Sequence, residues 1–159
     1  MNKIQIMKRE KSEFISQLIN EIEKLVPVYM QNEEDRAKAN GNVAFCILDT
    51  EGNIHGKIIG TDKIRGRELF RVAWTKASQS WITGMRTGEF EKLVFNGEID
   101  EAAFGIRKPD YIGWTGGQPI TLQDGTTFSA GFSGFRGETD IEIVLKAVSL
   151  IENDNSKNL

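Results

Sequence analysis

The sequence is poor in the residues from which most familiar sites are built. A single cysteine, Cys46, excludes an internal disulfide and any multi-cysteine zinc site. A single histidine, His55, excludes HExxH and every other paired-histidine motif, so no metal centre is expected. Twenty Lys and Arg against 23 Asp and Glu leave a net charge of −3, without the basic footprint that neutralises phosphates, which argues against nucleic acid as a partner. No apolar run approaches the roughly 20 residues needed to span a bilayer. The start, Met1-Asn2-Lys3-Ile4-Gln5, lacks the apolar stretch of a signal peptide. The expectation is a cytoplasmic protein with no membrane partner.

What is present suits one domain. The chain has 159 residues, 39% hydrophobic and 27% charged, with no internal repeat and no low-complexity segment. Phe14, Ile15, Leu18, Ile19, Ile22, Leu25 and Val26 recur at helical spacing. Pro27 kinks that helix or starts a second one, which the polar run 31–40 would carry to Gly41. Val43–Leu48 is a continuous apolar run, expected of a strand covered on both faces, and the turn 49–53 returns it as a second strand over Ile54–Ile59. A helix is predicted over Lys63–Ile82, closed by Gly84, with short helices at Glu89–Phe95 and Ile99–Phe104 around Asn96-Gly97. Ile120–Leu122 and Thr127–Ser133 read as a hairpin. Thr139 and Glu142 suggest a capping box for a helix with Ile141, Val144, Leu145, Val148 and Ile151 on one face. The fold class is therefore α/β of the α+β type, an antiparallel sheet of four or five strands packed by helices. The domain is expected over 1–151, and the polar residues 152–159 as a frayed tail.

Two features bear on function. In the helix 63–82, Leu69, Val72, Ala73, Ala77 and Ser80 form a stripe that Phe70, Trp74 and Trp81 widen, with Gln79 outside it. Lys76 falls inside this apolar arc. It either holds a carboxylate or backbone carbonyls at an element junction, or serves as a ligand anchor or catalytic amine. The second feature is glycine, seven of sixteen residues of which lie in Gly113–Gly137. Gly116-Gly117-Gln118-Pro119 permits a sharp turn, and Gly131, Gly134 and Gly137 recur before a helix start. The tract is either a backbone-built ligand wall or a set of tight turns and close packings. It matches neither GxGxxG nor a P-loop.

Other candidates are weaker. His55 is a possible metal or haem ligand or an ordinary strand residue, and Cys46 an inert core thiol. Lys57, Lys63, Arg65, Arg67, Arg71 and Lys76 could attract an anion or form a solvated face. Glu138, Asp140 and Glu142 could bind a cation or charge a helix start. Tyr111 and Trp114 could wall a pocket or pack the core.

Val43–Asp49 followed by Gly52, Lys76-Ala77, Gly105-Ile106, Gly116-Gly117-Gln118-Pro119-Ile120 and Gly131-Phe132-Ser133-Gly134 together resemble the ordered motifs of the GlcG/HbpS family. This haem-degrading-like domain is also found at the C-terminus of PduO proteins. The resemblance spans roughly 22–151. It implies a profilin-like fold, a small-molecule ligand, homo-oligomeric assembly and, in some members, haem or corrinoid binding. The implied ligand site is near Trp114, Gly116, Gly117, Gln118, Gly131, Ser133 and Gly134. The sequence departs from the family pattern in its long segment 83–110, in the lack of a histidine in the first helix, and in Phe135 and Arg136 beside Gly134.

Overall fold

The computed structural model describes residues 1–108, 110–111 and 113–158. Among them the chain forms α1 (Lys3–Tyr29), α2 (Glu33–Ala39), β1 (Val43–Asp49), β2 (Ile54–Ile59), α3 (Lys63–Thr83) and α4 (Thr87–Phe95). A 3-10 turn (Glu101–Phe104), β3 (Gly117–Thr121), β4 (Thr127–Ser133) and α5 (Gly137–Lys157) complete it. The strands make one antiparallel sheet of order β2-β1-β4-β3, which is an α+β fold. None of the described helices is long and apolar enough to cross a membrane.

Alternation along β1 divides the molecule into two layers. Val43, Phe45 and Ile47 face α1 and α5, where Leu18, Ile22, Ile143 and Val144 close the main core. Each such side chain, fully buried, contributes roughly 1.5–3 kcal/mol. Cys46 and Leu48 face α3 with Ala73 and Ala77. Covered on both sides, β1 is buried at every position, which is why its sequence is apolar without a break.

The α3 side is built on the absence of side chains. Gly56, Cys46, Gly131 and Gly117 lie opposite one another in register, a row crossing all four strands. The backbone of α3 sits on this row: a Cβ on Gly131 would collide with the Ala73 carbonyl, and one on Gly117 would meet the Lys76 carbonyl at 2.7 Å. This close approach centres the helix contact on Ala73, Lys76, Ala77 and Ser80 and buries Gln79 as well. The expected stripe is accordingly corrected: Trp74 and Trp81 flank it at 38% and 45% exposure, and the Trp81 indole donates to the Asp49 carbonyl at 3.0 Å.

Four further expectations change. Pro27 lies inside α1 and leaves the Glu23 carbonyl without its helical donor, yet the helix runs on to Tyr29 and the second helix starts only at Glu33, capped by Asn32. Only Gly116 of Gly116–Pro119 has a positive φ (118°); the other three lie in β3, an edge strand that tolerates Pro119. The capping box does not form, because α5 starts at Gly137 and the Thr139 hydroxyl donates to Asp35 at 3.0 Å instead. Helix α5 buries Ile143, Val144, Ala147, Val148 and Ile151 against α1 and the sheet, with Leu145 exposed, and stays helical through residues 152–157 of the expected tail. Leu159 lies outside the described residues.

Candidate functional site

The site forms where the loop 133–137 leaves β4 and enters α5. Lys76 rises from α3 beside Gly116, at which a Cβ would come within 2.6 Å of Nζ, so glycine leaves the ammonium its room. Its Nζ donates to the Phe132 carbonyl at 2.9 Å and to Asp140 Oδ2 at 3.0 Å. The other Asp140 oxygen accepts the Phe135 N–H at 2.8 Å. Both charged side chains are 3% exposed. Burial pushes the Asp140 carboxyl up to about 6 although Lys76 opposes it, and burial lowers the Lys76 ammonium although Asp140 holds its proton. Of the two readings of Lys76, this geometry is that of a lysine tying a carboxylate and a carbonyl at an element junction.

One residue further on, the loop is held from the other side. Asp35 of α2 accepts the Arg136 N–H at 2.9 Å, Arg136 Nε at 3.0 Å, Nη2 at 3.1 Å and the Thr139 hydroxyl at 3.0 Å. Glu34 takes the remaining Arg136 nitrogen at 2.9 Å. Neither Asp35 nor Arg136 stands out in the sequence as a site residue. The pair joins positions about a hundred apart, and neither lies in a periodic pattern.

Above these two anchors lies an open cleft of about 540 Å³ between α2, α3, residues 114–115 and the loop. Leu69, Val72 and Phe135 supply apolar surface and Trp114, 69% exposed, stands at its edge. Lys38 and Arg65 line it with no ion pair among the described residues, whereas Arg71 is paired with Glu68 at 3.3 Å. Lys38 was hidden in the polar run 31–40, since nothing in that run shows that α2 packs beside the loop.

The structure brings together Lys76, Trp114, Ser133 and Gly134 at this cleft, with Gly116 beneath Lys76. It separates the rest. Gly117 and Gly131 are covered by α3, and Gln118 lies on β3 opposite Ala130, outside the cleft. His55 lies opposite Ile47 and so faces α1, beside Lys11 and Ser12. It is on the other side of the sheet. Tyr111 is core: its ring meets Phe90 edge-on at 5.5 Å, and burial pushes its hydroxyl up to about 12. Cys46 is fully buried with its thiol also raised to about 12. Among the described residues no group of three or more His, Cys, Asp or Glu side chains is placed to hold a metal ion. The acidic start of α5 is dispersed, Asp140 inward to Lys76 and Glu142 to the Tyr29 hydroxyl at 3.4 Å.

No protein-family model matches this chain and no curated protein matches it in sequence. Solved structures do match it. A double mutant of Streptomyces reticuli HbpS superposes with a TM-score of 0.58 at 17% identity, covering 87% of this chain and 84% of the other. A complex of PduOC with heme gives 0.57 at 18%, covering 86% and 91%. Klebsiella pneumoniae ORFY gives 0.59 at 19%, covering 86% of each. The chain has their fold. At such identity the likeness is one of fold, and function must be argued from the site.

Whether this site suits haem can be tested on its residues. The cleft offers cations for two propionates and an indole for a ring face. Among the described residues it offers no His, Cys, Met or Tyr, the side chains that hold haem iron, and the Lys76 amine is committed to Asp140 and Phe132. The cleft fits the periphery of a tetrapyrrole and does not fit iron ligation.

Proposed function

We propose that the chain is a small-ligand-binding domain whose cleft takes a planar organic anion. One observation carries the reading: Lys38 and Arg65, two cations without an ion pair among the described residues, share one concave surface with the exposed Trp114 and an apolar floor. Ligand sites combine this kind of concavity with a few convergent polar groups. An exposed indole offers a flat face and the two cations attract negative charge, a combination that suits a flat anion. The HbpS and PduOC neighbours, the latter a complex with heme, make tetrapyrroles the first ligands to try. In this reading the Lys76–Asp140 and Asp35–Arg136 pairs hold the cleft's loop in place, and assembly into a homo-oligomer is expected alongside.

The test is a titration of haem followed by Trp fluorescence and by the Soret band. A saturable change at micromolar haem is expected, and Trp114→Ala should shift the Soret titration to higher haem concentration. A linear, unsaturable response would overturn the reading.

A further inference from the structure

We infer that this cleft holds its ligand through carboxylates and ring stacking, with no bond from the protein to a metal at the ligand's centre. The inference rests on the proposed ligand site and specifies how that site recognises its ligand. It departs from what a heme complex on this fold would suggest.

The donor inventory decides it. The only histidine of the sequence, His55, is on the α1 face of the sheet, with the sheet between it and the cleft. The only cysteine is in β1, fully buried beneath α3. Both tyrosines are committed elsewhere: Tyr29 to Glu142 and Tyr111 to the packing around Phe90. None of the four methionines lines the cleft. Lys76 reaches it, but its ammonium has no lone pair for a metal and directs two of its three N–H groups to a carboxylate and a carbonyl inside the fold. Pro109, Ile112 and Leu159, outside the described residues, carry no ligating side-chain atom. Beside the paired Glu68 and Arg71 and the hydroxyls of Thr115 and Ser133, the cleft presents Lys38, Arg65 and an indole, which recognise two anionic groups and a flat face. The ligand class is therefore an aromatic or tetrapyrrole dicarboxylate, for which a central metal is immaterial.

The experiment compares haem with iron-free protoporphyrin on the full chain, alongside Lys38→Glu/Arg65→Glu and His55→Ala variants whose melting temperatures are checked. The two porphyrins should bind within about threefold of one another. The charge-reversed double variant should weaken both by about tenfold or more, and His55→Ala should leave the bound haem spectrum unchanged. Haem binding about tenfold or more tighter than the iron-free ring, or loss of its spectrum in His55→Ala, would overturn the inference while leaving the ligand site standing. Failure of both porphyrins to bind would remove the ligand site itself, and the inference with it.

Discussion

Asp35 and Asp140 are each 2% exposed, and each accepts a backbone N–H from the same loop, Arg136 for one and Phe135 for the other. Their acidities nevertheless move in opposite directions. Burial tends to raise both. For Asp35 it is overcome by hydrogen bonds from the Arg136 side chain and N–H and from the Thr139 hydroxyl, together with the Arg136 charge, so its carboxyl lies below the usual range. Asp140 has the Lys76 ammonium, the Phe135 N–H and the more distant charge of Lys38, and burial still wins. Arg136 reaches Asp35 with a forked, half-exposed guanidinium, whereas Lys76 had to be buried to reach Asp140. Depth of burial and the number and charge of the donors set the acidity together: Asp140 lies deep in the fold, whereas Asp35 lies nearer the surface under four hydrogen bonds.

The largest effect should come from breaking the buried pair. Lys76→Met leaves Asp140 buried without its cation and should cost about 3–5 kcal/mol in urea melts at pH 8. Asp140 is already raised to about 6 and loses the partner that lowers it. The folded state of the variant should therefore bind a proton more readily than the unfolded chain, and stability should recover as pH falls toward 5. Lys76→Met combined with Asp140→Leu should recover it at both pH values. An equal loss at pH 8 and pH 5 would show that Asp140 is not the group left stranded.

Asp35 should behave in the opposite sense. Its folded value is lowered, so its contribution is present above the ordinary carboxylate value of about 4 and is lost as pH falls below it. Asp35→Asn should lower the melting temperature at pH 7 and flatten its decline between pH 4 and 2.5. The decline should not vanish, because Asp49 is lowered too: there burial is overcome by hydrogen bonds from Asn53 and Glu51 and by the Lys11 charge. An acid limb parallel to the parent's would contradict the assignment.

Thr139→Val tests the finest part of the comparison. It removes one of the four hydrogen bonds that Asp35 accepts and should cost about 1 kcal/mol, read from denaturant midpoints at pH 7. If Thr139 instead capped α5 through Glu142, the loss would be accompanied by fraying of the helix start in hydrogen exchange.

Local pattern carried much of the fold. The helical spacing of α3 with Gly84 as its stop, and the unbroken apolar run of β1 with its turn into β2, place those elements nearly at their observed ends, because each depends on a neighbour a few residues away; α1 begins well before Phe14, its first periodic residue. The phase of α5 and the start of β3 were not legible in the same way. Ile141, Val144 and Leu145 define an apolar arc, but which part is buried depends on α1 and the sheet. Lys76 could be singled out by helical phase alone, and its partner could not, since Asp140 reads equally well as charge at a helix start.

The glycines show the same division most clearly. Their clustering in Gly113–Gly137 is a property of the sequence, and it announces close backbone approach without saying to what. Only strand register, which aligns Gly117 and Gly131 with Cys46 and Gly56 from the first hairpin, shows that the approaching backbone is α3. Sequence by itself determined the α+β class, the order of elements and the place of Lys76 inside an apolar helical arc. Tertiary structure decided that Lys38, Arg65 and Trp114 share a cleft while His55 does not. A cleft is a relation between segments far apart in the chain, and no local pattern records it.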